Sequence, residues 1–125
     1  MITGIGLDLC EISRMEKLLE NNRFLMRYFS DEEQQYILEK GKTGAQTMAG
    51  IFAAKEALIK ALGCGITGGE LNHITIAHDA YGAPHYSLMG EFARFAEDQR
   101  VSSFSLSITH EAGIAAAVCI AERND

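Results

Sequence analysis

The sequence predicts a single α+β domain spanning residues 1–125, with a largely antiparallel sheet wrapped around a central helix. Three observations carry this. The periodic segments run strand, three helices, two strands, helix, two strands, and strands joined by short turns pair antiparallel. Residues 103–109 alternate Phe104, Leu106 and Ile108 with Ser105, Ser107 and Thr109, as a half-buried strand should. Residues 44–62 carry Ala45, Ala49, Gly50, Ala53, Ala54, Ala57 and Ala61, small enough to let other backbones approach a helix at the centre of the fold.

Taken in order, residues 1–8 read as a buried strand containing Gly4 and Gly6. Ser13-Arg14-Met15-Glu16 has the form of a capping box. It opens a first helix with Met15, Leu18 and Leu19 inward, in a segment reaching Phe29. Ser30-Asp31-Glu32-Glu33 is a second capping box, and its helix should run to about Lys40 and stop at Gly41. Thr43 is placed to cap the long helix, and Gly63 to end it. Residues 71–77 form a strand with Ile74 and Ile76 on one face. A turn over 79–84 returns the chain as a strand at 85–88. Residues 91–99 form a helix with Phe92, Phe95 and Ala96 inward. The strand at 103–109 turns at 110–113 into a last strand, 114–121, that is nearly all apolar.

At 125 residues, with 47% hydrophobic and 22% charged side chains, the chain can bury a self-sufficient core. No apolar run approaches the roughly 18 residues of a membrane span. The first residues lack the basic and apolar regions of a signal peptide, and the last carry no lipidation signal. A soluble cytoplasmic protein is expected. Three scattered cysteines, Cys10, Cys64 and Cys119, suit neither a disulfide framework nor a zinc site. A net charge of −6 disfavours nucleic acid as a partner. The charge is uneven, however. Arg14, Lys17, Arg23 and Arg27 outnumber Glu16 and Glu20, so a local basic face could meet an acidic partner.

Several motifs dissolve on inspection. Gly63-Cys64-Gly65-Ile66-Thr67-Gly68 matches GxGxxG, but it follows a helix where a dinucleotide fold requires a strand. Gly41-Lys42-Thr43 lacks the upstream glycine of a phosphate-binding loop, since Tyr36 stands there. His110-Glu111 lacks the second histidine of a zinc motif. His73 and His78, five apart near a strand, make a poor chelate.

Asp8, Glu56 and Lys60 are left to explain. Asp8 closes an apolar strand, and with Ser13 as helix cap it has no evident local task. It is either a turn residue or a carboxylate in need of a partner or a metal. Glu56 and Lys60 could be a surface i,i+4 pair worth roughly 0.3–0.5 kcal/mol. Their helix, though, is almost wholly apolar and should be buried, which favours charges that line a cleft. Two carboxylates from different elements beside a lysine would suit magnesium and phosphate.

These residues resemble the bacterial holo-[acyl-carrier-protein] synthases, which are 4′-phosphopantetheinyl transferases. Ile5-Gly6-Leu7-Asp8-Leu9-Cys10-Glu11-Ile12 with Arg14 is similar to their opening motif. Phe52-Ala53-Ala54-Lys55-Glu56-Ala57-Leu58-Ile59-Lys60-Ala61-Leu62-Gly63 is similar to their second motif, continued by Cys64-Gly65-Ile66. Gly82-Ala83-Pro84, Ser107-Ile108-Thr109-His110 and Ala115-Ala116-Ala117-Val118 fit the rest of the chain in order.

The resemblance implies transfer of phosphopantetheine from coenzyme A to a serine of an apo acyl carrier protein in fatty acid biosynthesis. By position, Asp8 and Glu56 would ligate Mg²⁺. Lys60 would bind phosphate, and His110 with Gly63 and Gly65 would lie along coenzyme A. Arg14, with Lys17, Arg23 and Arg27 as helpers, would meet the acidic carrier. The resemblance further implies a homotrimer with active sites between subunits, in keeping with the apolar last strand.

Two departures stand out. Relatives often carry arginine where Ile51 stands, so phosphate binding would be either weaker or supplied by another group, such as Lys55 or His110. Cys10 lacks the acid that larger relatives use as a third metal ligand. A non-catalytic coenzyme A or carrier-binding module, and a purely structural trimer, are the competing readings. The intact trio Asp8, Glu56 and Lys60 argues against the first, and the second, with Glu56 and Lys60 as a buried interface pair, is disfavoured only by the motif match.

Overall fold

The computed structural model describes residues 1–64 and 70–124. Strand β1 (Ile2–Glu11) leads into four helices, α1 (Ile12–Leu18), α2 (Asn22–Tyr28), α3 (Asp31–Glu39) and α4 (Gly44–Leu62). The hairpin β2 (Ile74–His78) and β3 (Pro84–Leu88) follows, then α5 (Gly90–Asp98), β4 (Ser103–Glu111) and β5 (Ile114–Glu122). The α+β class stands, and among the described residues all strands pair antiparallel. The sheet divides in two. One has the order β1-β5-β4, and the other is the β2-β3 hairpin.

Helix α4 is the centre of the fold. Its flank from Met48 to Leu62 is buried except at Glu56 and Lys60. It lies across the inner face of the three-stranded sheet, where Ala115, Ala117, Cys119 and Ala121 of β5 are buried beneath it. Against β1 the packing is backbone to backbone. A Cβ at Gly6 would overlap the carbonyl oxygen of Ala57, and one at Gly4 that of Ala61. Glycine is needed at both positions because α4 takes up the space of a side chain.

The ends of the elements differ from the expectation in instructive ways. β1 continues past Asp8 to Glu11, which puts Asp8 inside the strand, opposite Ala117. Ser13 does not cap α1. The helix begins at Ile12, and the Ile12 amide donates to the carbonyl of Gly113 in the β4–β5 turn at 2.9 Å. A partner from across the fold has taken over the role of a local cap. The segment up to Phe29 is two helices, because Asn21 accepts from the Phe24 amide and starts α2 afresh. Thr43 also fails to cap. Its hydroxyl turns back to the Lys40 carbonyl, and a short 3₁₀ turn feeds α4 directly.

Other signals hold. Ser30 and Glu33 form both halves of the capping box of α3. Gly63 ends α4 in the left-handed region at φ 68°. The three cysteines are free.

Candidate active site at the β1–α4 junction

The alternation of β1 decides which of its side chains meets α4. Gly4, Gly6, Asp8 and Cys10 pair with Ala121, Cys119, Ala117 and Ala115 on the inner face. Where the glycines stop, Asp8 is the first inward group with any reach. Lys60 comes down from the last turn of α4 and donates to Asp8 Oδ1 and to the Leu7 carbonyl, both at 3.0 Å. Asp8 is the more sheltered partner, its side chain 19% exposed against 55% for Lys60. Of the two readings, the surface i,i+4 pair between Glu56 and Lys60 is not the one that forms; the lysine bridges to the strand.

Glu56 stands one turn before Lys60. Burial pushes its carboxyl up, and the charge of Asp8 adds to this, while Lys60 and Arg14 pull it down. Asp8, Glu56, Lys60 and Arg14 thus share one electrostatic environment. Burial also pushes the Cys10 thiol up, with Arg14 opposing. The Arg14 guanidinium lies 5.4 Å from the ring centre of Phe52, one turn before Glu56. Lys17 is exposed on the same short helix. Gly63 donates its amide to the Ile59 and Lys60 carbonyls and so closes α4 directly behind the lysine. Gly65 lies outside the described residues.

His110 is elsewhere. It sits on β4, at the opposite edge of the sheet, two strand spacings or ~10 Å from β1. Its ring contacts the Gln46 amide at 3.0 Å. A cavity of about 390 Å³ opens at the start of α4, lined among others by Glu16, Lys42, Thr43 and Gln46. One chain brings Asp8, Glu56, Lys60 and Arg14 together but leaves His110 apart from them.

Lys55 cannot take the place of an arginine at position 51. It is buried, with its ammonium held by Glu33 and by the carbonyls of Leu71 and Ile74. Ile51 is itself buried, 1% exposed, in the core. Glu33 was legible only as part of a capping box, and its second task as counter-ion to Lys55 left no mark in local spacing. The one available hint was a lysine inside an otherwise apolar helix.

Among the described residues no three His, Cys, Asp or Glu side chains group as metal ligands. Asp8 and Glu56 do lie near enough for the charge of Asp8 to push the Glu56 carboxyl up. They are hard oxygen donors whose like charges a cation would relieve, which fits magnesium completed by water and substrate oxygens.

The profile of the 4′-phosphopantetheinyl transferase superfamily matches residues 4–119. The chain belongs to this superfamily. The likeness within this transferase superfamily runs end to end. A holo-[acyl-carrier-protein] synthase of Treponema denticola is 44% identical over 122 residues, covering 98% of this chain and 99% of the relative. The crystal structure of holo-[acyl-carrier-protein] synthase from Neisseria meningitidis superposes with a TM-score of 0.87 at 35% identity, covering 98% of this chain and 100% of that one. The Helicobacter pylori holo-[acyl-carrier-protein] synthase, solved in complex with coenzyme A, gives 0.79 at 36% identity, covering 94% and 99%.

Proposed function

We propose that this transferase is a holo-[acyl-carrier-protein] synthase, moving 4′-phosphopantetheine from coenzyme A to a serine of an apo acyl carrier protein. The observation that carries the reading is the meeting of Asp8, Glu56 and Lys60 across the β1–α4 junction, in a chain 44% identical over its length to such a synthase. The serine hydroxyl attacks the β-phosphate of coenzyme A. A new P–O bond forms to serine, the old one breaks, and 3′,5′-ADP leaves. The serine proton passes to Glu56 or to water.

Asp8 and Glu56 would hold Mg²⁺, which when bound supplies positive charge to the diphosphate. Lys60, half-exposed beside Asp8, would turn from that carboxylate to bind phosphate oxygens. Arg14 and Lys17 on α1, with Arg23 and Arg27 on α2, face solvent and offer the acidic carrier a basic surface.

The active assembly is a homotrimer, with sites between subunits. Two features support this. The outer face of β1 bares Ile5, Leu7 and Leu9 at 62%, 60% and 65% exposure, beside Val118 and Ile120 of β5. Covering such side chains is worth about 1–2 kcal/mol each. His110 lies on the far edge from Asp8, so a neighbour's β4 edge set against this β1 edge would complete the site. Among the described residues no helix is long and apolar enough to cross a membrane, in keeping with work in the cytoplasm.

The test is the intact mass of an apo carrier incubated with the protein, coenzyme A and Mg²⁺. A gain of one phosphopantetheine, lost with EDTA, is expected. Asp8→Ala and Glu56→Ala should each abolish it while the circular dichroism spectrum stays unchanged. No gain with several apo carriers would overturn the reading in favour of a binding module.

A further inference from the structure

Lys55 and Glu33 form a fully buried ion pair, with both side chains 0% exposed. Every group on the pair is used. The Lys55 ammonium has three acceptors, Glu33 Oε1 and the carbonyls of Leu71 at 2.9 Å and Ile74 at 2.6 Å. Glu33 Oε1 also accepts from the Ser30 amide at 2.9 Å, and Oε2 from the Ile76 amide at 2.8 Å. One pair therefore ties α4 to the start of α3, to the turn before β2, and to β2 itself.

Stability alone does not account for it. Replacing a buried ion pair by apolar side chains of like volume is often neutral or stabilising. What such a pair does supply is direction, because three acceptors around an ammonium fix where it points. On the opposite flank α4 is tied to β1 only by the half-exposed Lys60, on Asp8 and the Leu7 carbonyl. The rest of that contact is Ala57 and Ala61 lying on Gly6 and Gly4, with no side chain of β1 between them. Smooth surfaces like these offer few ridges and grooves to set a helix's rotation about its axis.

We propose that the Lys55–Glu33 pair is a positioning device that sets the rotation of α4, and so the direction in which Glu56 and Lys60 face Asp8. Glu56 is the next residue along the helix, so any turn about Lys55 passes directly to it. A carboxylate ~6 Å from the helix axis moves ~2 Å for a 20° rotation. A misplacement of ~1 Å near reacting atoms can lower a rate about 100-fold. The inference rests on the proposed role of Glu56 and adds to it the means by which Glu56 is aimed.

The test uses two variants of the full chain. The double variant Lys55→Met/Glu33→Met removes both charges at near-constant volume and strands neither. Glu33→Asp keeps the charges but is one methylene short. Melting temperature, Mn²⁺ affinity by electron paramagnetic resonance, and kcat and KM for transfer are measured on each, well below its melting point. We expect Mn²⁺ affinity to fall about tenfold and kcat at least tenfold, with KM for the carrier within twofold of the parent. Lower melting temperature with unchanged Mn²⁺ affinity and kcat in the folded variants would mean a structural pair only, and would overturn the proposal. The parent and Glu56→Ala separate this from the function itself. A parent that binds Mn²⁺ through Glu56 but transfers nothing would refute the synthase reading and leave the aiming of Glu56 testable by Mn²⁺ affinity.

Discussion

Gly6→Ala places one methyl group between β1 and α4, and its effect can be worked out from the contact. The added Cβ would overlap the Ala57 carbonyl oxygen and press on the Ala61 amide. Both are helix backbone, so no rotamer change relieves it. Strand and helix must separate by about 1.5 Å to restore van der Waals contact. Overpacking of this kind costs typically 1–3 kcal/mol. Two backbone segments must move here, so we place the loss near 3 kcal/mol. The same displacement acts on the 3.0 Å bond between Lys60 and Asp8, two residues along β1, and stretches it past hydrogen-bond range.

Urea unfolding and initial rates of transfer, measured side by side, are the assay. Gly82→Ala is the control. Gly82 has φ 84° in the β2–β3 turn with no atom near its missing Cβ, so it should cost about 1–2 kcal/mol of backbone strain and leave kcat unchanged. Gly6→Ala should lose both stability and rate. A Gly6→Ala protein within 0.5 kcal/mol of the parent, turning over normally, would refute the claim that α4 is seated by glycine contact.

Other expectations follow from the same structure. Arg14→Ala should raise KM for the carrier about fivefold, an effect weakened by salt, with KM for coenzyme A unchanged; equal KM values for the carrier would remove Arg14 from the docking face. Leu7→Glu should yield monomers by light scattering and no transfer, whereas an active monomer would refute sites shared between subunits. His78 stacks on Tyr36 at 4.0 Å, and burial holds it below the ordinary histidine range, aided by Lys40 and His85 and opposed by Asp79. The unfolded chain therefore takes up this proton first as pH falls. Stability should be full above the ordinary histidine range and decline as pH falls through it. His78→Phe, which keeps the stack, should flatten that decline in urea melts; an unaltered slope would assign it to other groups.

Much of the fold could be read directly where the signal was local. The Ser30–Glu33 box, the glycine stop at Gly63 and the alternation at 103–109 each rest on neighbours within four residues, and each is found in place. Ser13 and Thr43 misled because the same local grammar can be outbid, by the distant Gly113 carbonyl in one case and by a neighbouring 3₁₀ turn in the other. At the site, the motif residues Asp8, Glu56 and Lys60 were legible, but their pairing was not. The Lys60–Asp8 bridge depends on α4 lying on Gly4 and Gly6, a tertiary fact. The Glu33–Lys55 pair was hidden for the same reason, since 22 residues separate its members.

The position of β5 bears on how the protein is made. It is the last element in the chain and the middle strand of its sheet, so β1 and β4 each pair with it and not with each other. While the ribosome is still short of β5, Asp8 has no strand opposite it, and Ala117 has yet to be synthesised. The sheet, and with it the floor beneath Asp8, closes only when the final strand slides between two that have been waiting with bare edges. A nascent chain stalled before residue 114 would hold all of the β1–α4 site residues and no working site, with sticky strands exposed to other copies.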